Sequence, residues 1–354
     1  MKTINKIIVL RFSRVGDAVI SSVLCSTLKK TFPEAEIHYV LNENIAPLFE
    51  HHPDIDRLIR FSDDDMKTLP AYVAKVKRIM KEGQYDIIVD IRSTIKTLWF
   101  SLFSMQTPYR VGAKKTYNPV LHNYRTLVDC VTDEVTKTLM LLKPLEKLFR
   151  IRYEREFKLY VTDMEKENFR IKMIAGGIDF SRPIIICAVA AWLKHKIWNQ
   201  DYMSRVLWQI IEKYDAQLIF NFAGKDEQDV ALRLYRKMGS HPNIFTDIEA
   251  VNLRELAAMV TLSGFFFGIE GGPRHISQAF DVPAFAIYPP GTIKAQWLPN
   301  ASGRFQGIEQ SDISGQENNP DLSFPEKFDL ITADAVWERL DPMLEKFLPP
   351  KSQA

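Results

Sequence analysis

The stretch that decides the fold is FFFGIEGGPRHISQA, residues 265–279. Its first part, residues 265–269, has no polar interruption, a pattern typical of a strand buried on both faces. Gly271 and Gly272 then allow a tight turn and a close approach of a ligand to the backbone. Pro273 suits the first position of a helix, where its missing N–H is no loss. We therefore predict a buried strand, a glycine turn and a helix, in that order.

The N-terminus of this predicted helix is a candidate seat for phosphate. Its first N–H groups have no partner within the helix, and the helix dipole places positive charge there. Glu270 and His275 flank the position in the sequence. The same residues are also compatible with an ordinary strand-to-helix turn that carries a surface histidine.

The composition is that of a globular protein large enough for two domains. The chain has 354 residues, of which 46% are hydrophobic and 25% are charged, as in ordinary soluble proteins. The net charge of +2 gives no reason to expect nucleic acid as a partner. Cys25, Cys130 and Cys187 are widely separated, which argues against a disulfide framework or zinc site and favours a reducing cytoplasm. No stretch resembles a signal peptide or a membrane-spanning helix, so we expect membrane contact to be peripheral.

Short apolar runs alternate with amphipathic segments along most of the chain, which predicts an α/β fold with parallel sheets covered on both faces. The predicted strands are 7–10, 37–41, 58–61, 85–91, 184–189, 217–223, 265–269 and 284–288. The predicted helices are 18–32, 46–51, 71–81, 139–149, 165–174, 200–214, 227–238, 253–262, 273–280 and 333–347. Residues 302–325 are predicted to form a long polar surface loop.

The alternating pattern starts again near residue 151, which indicates two α/β domains. We place them at 1–155 and 156–331. In doubly wound sheets, ligands bind beyond the carboxyl ends of the strands. Two such domains that face each other would therefore share a ligand cleft between their strand ends.

Three further loops at predicted strand ends carry polar side chains. The first, residues 11–17, contains Asp17, which is either a general base or a cap of the next helix. The second contains Lys196, which can neutralise a phosphate or belong to a solvated basic loop over packed tryptophans. The third contains Glu227, which can accept hydrogen bonds from a ribose or sugar hydroxyl, or stabilise the first turn of a helix. No metal-ligand spacing is present, and we expect neither a metal nor a cofactor.

The sequence resembles the lipopolysaccharide heptosyltransferases of glycosyltransferase family nine, from residue 7 to about residue 298. The family's R-x-S-x-x-G-D loop matches residues 11–17, its K-x-W element matches residues 196–198, and its D-[ST]-G-x-x-H turn matches residues 270–275. The resemblance implies a GT-B fold, with two facing Rossmann-like domains and a cleft between them. It also implies that the last helix, within residues 332–348, packs back on the N-terminal domain.

The resemblance implies roles for these residues in an inverting transfer of heptose from an ADP-sugar to a lipopolysaccharide core or lipid A-linked acceptor. Asp17 corresponds to the catalytic base and Lys196 to the lysine that contacts the donor diphosphate. The remaining donor-binding residues would be Glu227, Glu270, Gly271, Gly272 and His275. The partners implied are a nucleotide sugar and an anionic glycolipid at the inner membrane surface, and the location is cytoplasmic or peripheral on that membrane.

Two positions depart from the family pattern, and both border the implied donor pocket. Residues 189–191 are Val-Ala-Ala where the family has Pro-Gly-Ala, and Glu270 replaces an aspartate. Three alternatives therefore stay open: a UDP- or GDP-sugar donor, a sugar-nucleotide epimerase, and a binding protein with a decayed site. The oligomeric state, the sugar and the acceptor hydroxyl are likewise left open by the sequence.

Basic residues near the first strand ends suggest an acceptor-side surface. The candidates for acceptor binding are Arg11, Ser13, Arg14, Arg92 and Lys96. A basic rim suited to a phosphorylated glycolipid would consist of Arg11, Arg14, Arg92, Lys96, Arg110 and Lys114. The alternative is ordinary solvated charge, since sequence order does not establish clustering in space.

Overall fold

The chain forms two α/β units, residues 1–160 and 161–354. The computed structural model describes residues 3–12, 14–128, 132–313 and 319–348. Ser13 and Cys130 lie outside these described residues. The boundary between the units falls a few residues after the predicted one.

The first unit is built on a parallel sheet whose six described strands have the order β3-β2-β1-β4-β5-β6. The strands are β1 Lys6–Leu10, β2 Glu36–Asn42, β3 Arg57–Phe61, β4 Ile87–Asp90, β5 Tyr109–Ala113 and β6 Tyr124–Thr126. The helices are α1 Val15–Ser21, α2 Val23–Thr31, α3 Asp63–Lys67, α4 Leu69–Gly83, α5 Ile95–Leu102 and α6 Glu134–Met140. Short 3-10 turns cover Ala46–Phe49 and Lys143–Lys147.

The second unit repeats this topology. Its six described strands have the order β12-β11-β10-β7-β8-β9, again all parallel. They are β7 Ile184–Ala188, β8 Gln217–Phe220, β9 Ile244–Phe245, β10 Phe265–Ile269, β11 Ala284–Ile287 and β12 Phe305–Ile308. The helices are α7 Asp163–Ala175, α8 Gln200–Tyr214, α9 Gly224–Lys237, α10 Leu253–Thr261, α11 Gly272–Ala279, α12 Lys294–Trp297, α13 Phe324–Asp329 and α14 Ala333–Phe347.

The deciding stretch folds as its pattern predicts. β10 is fully buried and lies between β7 and β11, which explains its continuous run of apolar residues. Gly268 in this strand has φ +142°, and a Cβ there would lie 2.3 Å from the Ala188 carbonyl oxygen. The absence of a side chain is therefore required at Gly268, where β10 approaches β7. Gly271 has extended backbone, and the nearest atom to a Cβ there would be 3.9 Å away.

Two predictions about the end of the chain are wrong. Residues 302–325 are not one loop, because β12, a 3-10 turn at Gln310–Asp312 and the start of α13 lie within the range. The last helix, α14, packs within the second unit: its apolar face joins that unit's core beside α8. Lys213 on α8 pairs with Asp341 and Glu345 on α14, at 2.7 Å each. The expectation that this helix packs on the first domain is therefore corrected.

Candidate functional site

Each unit has one topological switch point at the centre of its sheet. In the first unit the chain runs outward from β1 to one edge and from β4 to the other, and in the second unit β7 and β10 play these parts. Loops that follow such adjacent strands diverge to opposite faces and leave a crevice at the carboxyl ends. The candidate residues after β1, β4, β7 and β10 all lie at these two switch points.

Arg11 and Asp17 form an ion pair at the first switch point. The Arg11 guanidinium is buried, and its Nη2 donates to Asp17 Oδ1 at 2.5 Å. Asp17 is the third residue of α1, whose N-cap is Arg14. Asp17 is therefore not the capping residue, and Arg11 fixes the orientation of its carboxylate.

The basic rim is smaller than predicted. Arg14, Arg92 and Lys96 are exposed, whereas Arg11 is buried against Asp17. Arg110 is also buried, and its guanidinium donates to the carbonyls of residues 105, 107 and 121. Arg110 therefore braces the loops around β5 and does not belong to the rim.

Lys96 belongs to the same region as the Asp17 loop. Its Nζ lies 5.7 Å from the ring centroid of Phe12 and 5.2 Å from that of Tyr72. These cation–π contacts hold the lysine over the aromatic side of the loop that follows β1. The structure thus brings Lys96 to the loop that carries Asp17.

The turn after β10 holds a buried network of charged side chains. His275 Nε2 lies 3.1 Å from Glu270 Oε1. Arg274 is fully buried; it contacts His275 and donates to Gln278 Oε1 and the Trp297 carbonyl, both at 2.6 Å. His275 is therefore a buried partner of Glu270, which excludes the alternative of a surface histidine. Arg274 had no role assigned from the sequence, because nothing in its neighbours shows that it is buried.

The positive charge around Glu270 lowers its pKa. Burial by itself raises this pKa, but the hydrogen bond from His275 and the charges of His275, Arg274 and Lys196 outweigh it and leave the pKa below its usual value. Lys196 lies in a short 3-10 turn after β7, with its Nζ 3.4 Å from Thr292 Oγ1. Lys196 and the α11 N-terminus therefore both contribute positive potential at the second switch point.

Glu227 lies after β8, the neighbour of β7, at the same edge of the sheet. Its Oε2 accepts a hydrogen bond from the Ala223 N–H at 2.8 Å. Burial raises its pKa, and that hydrogen bond opposes the rise. Gly224 before it has φ +74° and open space where a side chain would project. The second carboxylate oxygen of Glu227 can still accept a ligand hydroxyl.

Asp90 and His122 form a buried pair that the sequence did not single out. Asp90 ends β4, and its Oδ2 lies 3.5 Å from His122 Nε2. Its Oδ1 accepts from the Ser93 N–H at 2.8 Å. Asn118 Nδ2 lies 3.1 Å from His122 Nδ1, so the imidazole accepts there and carries its proton on Nε2, toward Asp90.

The described part of the chain has neither a metal-binding cluster nor a membrane-spanning helix. Its residues include no cluster of three or more His, Cys, Asp or Glu side chains placed to hold a metal ion. In the same ranges, no helix is both long and apolar enough to cross a membrane.

The chain is similar to known glycosyltransferases in sequence and in fold. The family model described as "Glycosyltransferase family 9 (heptosyltransferase)" matches residues 73–302. Lipopolysaccharide heptosyltransferase 3 of Escherichia coli K12 is 22% identical over 77% of this chain and 79% of its own length.

Two solved structures extend the likeness over nearly the whole length. A family 9 glycosyltransferase of Veillonella parvula has a TM-score of 0.84 and 16% identity, over 97% of this chain and 98% of its own. ADP-heptose lps heptosyltransferase II of Escherichia coli has a TM-score of 0.75 and 19% identity, over 96% and 99%. The GT-B fold is thereby confirmed. Because the family model covers well over half of the sequence, the chain belongs to glycosyltransferase family 9, the heptosyltransferase family, and is a glycosyltransferase.

Proposed function

We propose that the protein is an inverting glycosyltransferase that moves a heptose from an ADP-sugar to a lipopolysaccharide-type acceptor. The observation that carries the proposal is the division of charge between the switch points. The first presents an oriented carboxylate, Asp17, and the second combines Lys196 with the N-terminus of α11. The heptosyltransferases that the chain resembles support the donor and the acceptor class.

In the proposed reaction, Asp17 takes the proton of an acceptor hydroxyl while the hydroxyl oxygen attacks the anomeric carbon. The bond from that carbon to the diphosphate breaks, and the nucleoside diphosphate leaves with the electron pair. Arg11 holds the Asp17 carboxylate in position for this transfer. A general base of this kind contributes about a hundredfold to ten-thousandfold in rate.

Negative charge grows on the leaving diphosphate in the transition state. The N–H groups at the start of α11 and the Lys196 ammonium are fixed before the reaction and would stabilise this charge without a metal. Glu270 and His275 do not bind the phosphate in this proposal. They hold each other and Arg274 beneath the turn.

The donor is tested by isothermal titration with ADP, UDP and GDP, each with and without EDTA. Tight binding of ADP that EDTA does not weaken supports the proposal. A preference for UDP or GDP would replace the ADP-sugar by another donor. Consumption of the sugar nucleotide without an acceptor would favour an epimerase or hydrolase, and no nucleotide binding would favour a decayed site.

The base is tested by Asp17→Asn, with Asp163→Asn as the matched control. Both residues are acids in the first turn of a helix, and the Asp163 side chain is fully exposed. We expect Asp17→Asn to lower kcat by about a thousandfold, with ADP affinity unchanged because the donor binds the second unit. Asp163→Asn should leave kcat unchanged. Wild-type turnover in Asp17→Asn would show that Asp17 only helps to hold Arg11.

A further inference from the structure

The surface beyond β4, β5 and β6 combines exposed apolar and basic side chains. Residues 91–128, which include the segments that follow these three strands, have six Lys and Arg residues and no Asp or Glu. The exposed apolar side chains are Ile95 (73% exposed), Tyr117 (50%), Val120 (70%) and Leu127 (70%). Such a combination is rare on a surface that faces only water.

The topology places these side chains at one edge of the first sheet. Ile95 follows β4, Tyr117 and Val120 follow β5, and Leu127 follows β6. The three strands are adjacent and parallel, so the segments that leave them emerge side by side. Ile95 and Val120 therefore lie at the same edge of the sheet although they are distant in sequence.

Hydrogen bonds join the segments that follow β4 and β5 into a fixed platform. Tyr117 Oη donates to the Ser93 carbonyl at 2.8 Å, and the Ala113 N–H donates to Ser93 Oγ at 2.9 Å. Asn118 Nδ2 donates to the Ala113 carbonyl at 2.9 Å, and its Oδ1 accepts from the Lys115 N–H at 3.1 Å. The exposed residues thus stand on a structured base.

Basic side chains surround the apolar ones. Arg92 and Lys96 flank Ile95, and Lys114 and Lys115 precede Tyr117; all four are exposed. An anionic bilayer matches this arrangement, because its headgroups attract the bases while its boundary accepts small apolar side chains and tyrosine. A purely aqueous anion would match the charge but leave Ile95 and Val120 in water.

We propose that this platform docks the enzyme on a bilayer of anionic phospholipid. The inference rests on the proposed function only in that a lipid-linked acceptor gives the enzyme a substrate at that surface. Ile95, Val120 and Leu127 enter the interface, and Lys114 and Lys115 contact the headgroups. The contacts are with the bilayer itself and do not require the sugar acceptor.

Co-sedimentation with vesicles tests the docking surface. The full chain is mixed with vesicles of phosphatidylcholine alone or with about one third phosphatidylglycerol, neither of which contains a glycolipid. We expect binding to the anionic vesicles that weakens as salt rises. Equal binding to both compositions, or no binding, overturns the proposal.

Two pairs of variants locate the contact. Lys114→Gln with Lys115→Gln should weaken vesicle binding by about twenty-five-fold, since each lysine near an anionic surface is worth about fivefold. Lys77→Gln with Lys81→Gln removes the same charge from exposed positions on α4 and should change binding little. Equal losses in the two pairs would mean that only net charge matters, and would overturn the platform.

The apolar contribution has its own matched control. Val120→Ser should weaken binding by about tenfold, whereas Val251→Ser, at an equally exposed valine of the second unit, should not. If Val120→Ser instead changes the mass of the protein in sedimentation velocity and not its vesicle binding, the surface covers a second copy of the chain and the proposal fails. ADP titration of every variant confirms the fold and tests the proposed function separately.

Discussion

Each unit places a carboxylate at the carboxyl end of a central strand and a histidine beside it, but the two carboxylates are in opposite electrostatic states. In the first unit Asp90 ends β4 and faces His122 at 3.5 Å. In the second, Glu270 directly follows β10 and faces His275 at 3.1 Å. Both strands lie at the centre of their sheets, beside β1 and β7 respectively.

Burial by itself raises the pKa of both carboxylates. The nearby cations determine whether the final pKa lies above or below its usual value. Burial raises the pKa of Asp90 to about 7, although hydrogen bonds from Thr97 and the Ser93 N–H oppose the rise. For Glu270 the hydrogen bond from His275, with the charges of Arg274 and Lys196, outweighs burial and lowers the pKa. The second carboxylate therefore keeps its charge where the first tends to lose it.

On the proposed function, the difference separates a packing role in the first unit from a chemical one in the second. Asp90 and its partners hold the turn at Ser93 and the loop around Asn118, as their hydrogen bonds show. Around Glu270, the loop after β7 and the helix after β10 add a lysine and an arginine. The proposed donor site therefore depends on the lysine and arginine that its loops supply, and not on the carboxylate at the strand end alone.

Of the predictions from this comparison, we expect the replacement of Lys196 to have the largest effect on kcat. Lys196→Met removes a charge that faces both Glu270 and the proposed diphosphate, so we expect kcat to fall by about a hundredfold to a thousandfold. Lys194→Met is the control, because Lys194 is exposed in the same short turn. Steady-state kinetics of both variants with an ADP-sugar donor measure the difference. Equal rates in the two variants would exclude a special role for Lys196.

Exchanging the two carboxylates for amides tests their separate roles. Glu270→Gln weakens the partner of His275 beneath the phosphate turn, and we expect about a hundredfold loss of kcat. Asp90→Asn should change kcat by less than about threefold, because Asp90 is fully buried below the turn at Ser93. The kcat values at saturating donor provide the comparison. Similar losses in the two variants would contradict the division into packing and chemical roles.

The glycines of the deciding stretch offer a test of stability. Gly268→Ala places a Cβ against the Ala188 carbonyl in a backbone conformation unfavourable to side chains, so we expect a loss of about 3 kcal/mol in the free energy of unfolding. Gly271→Ala has room for its methyl group and should cost less than about 1 kcal/mol. Urea unfolding measures both variants. The reverse order would mean that the turn, and not the contact between β10 and β7, limits stability.

The sequence was sufficient for the elements whose pattern is local. α8 and α14 begin and end at the predicted residues because each has a long amphipathic periodicity. β10 is predicted without error because its residues form a continuous run without a polar side chain. β5, β6, β9 and β12 were missed. β6, β9 and β12 are edge strands, and β6 and β9 have only three and two residues. β5 is as long as β10, but Arg110 and Gly112 interrupt its apolar pattern. Residues 305–308 are embedded in Gly- and Ser-rich sequence that resembles a loop.

Contacts between residues that are far apart in the sequence could not be predicted from the sequence alone. Amphipathicity shows that α14 buries one face but not that α8 covers it. Likewise, Arg110 and Arg92 look alike in sequence, and only the fold shows that the first is buried and the second exposed. The partnership of Asp90 with His122 depends on the loop after β5, whose course no local pattern specifies.

The pair of Asp90 and His122 leads to a final prediction, about the pH dependence of the free energy of unfolding. Burial lowers the pKa of His122 to about 4, below its unfolded value of 6.5, so this residue makes the fold more stable as pH rises from 5 to 7. The raised pKa of Asp90 has the opposite sign: its proton stabilises the fold at pH 5, and that stability is lost as pH rises toward 7. Each contribution is about 2 kcal/mol over this range, so in the wild type the two nearly cancel.

Removing one partner should expose the contribution of the other. In Asp90→Asn the free energy of unfolding should rise by about 2 kcal/mol between pH 5 and pH 7, relative to the wild type. In His122→Asn it should fall by a similar amount. Urea unfolding at several pH values measures both slopes, and His241→Asn, at a partly exposed histidine of the second unit, serves as the control. Parallel pH profiles for all four proteins would show that the pair does not exchange protons on unfolding, and the contrast between Asp90 and Glu270 would then rest on geometry alone.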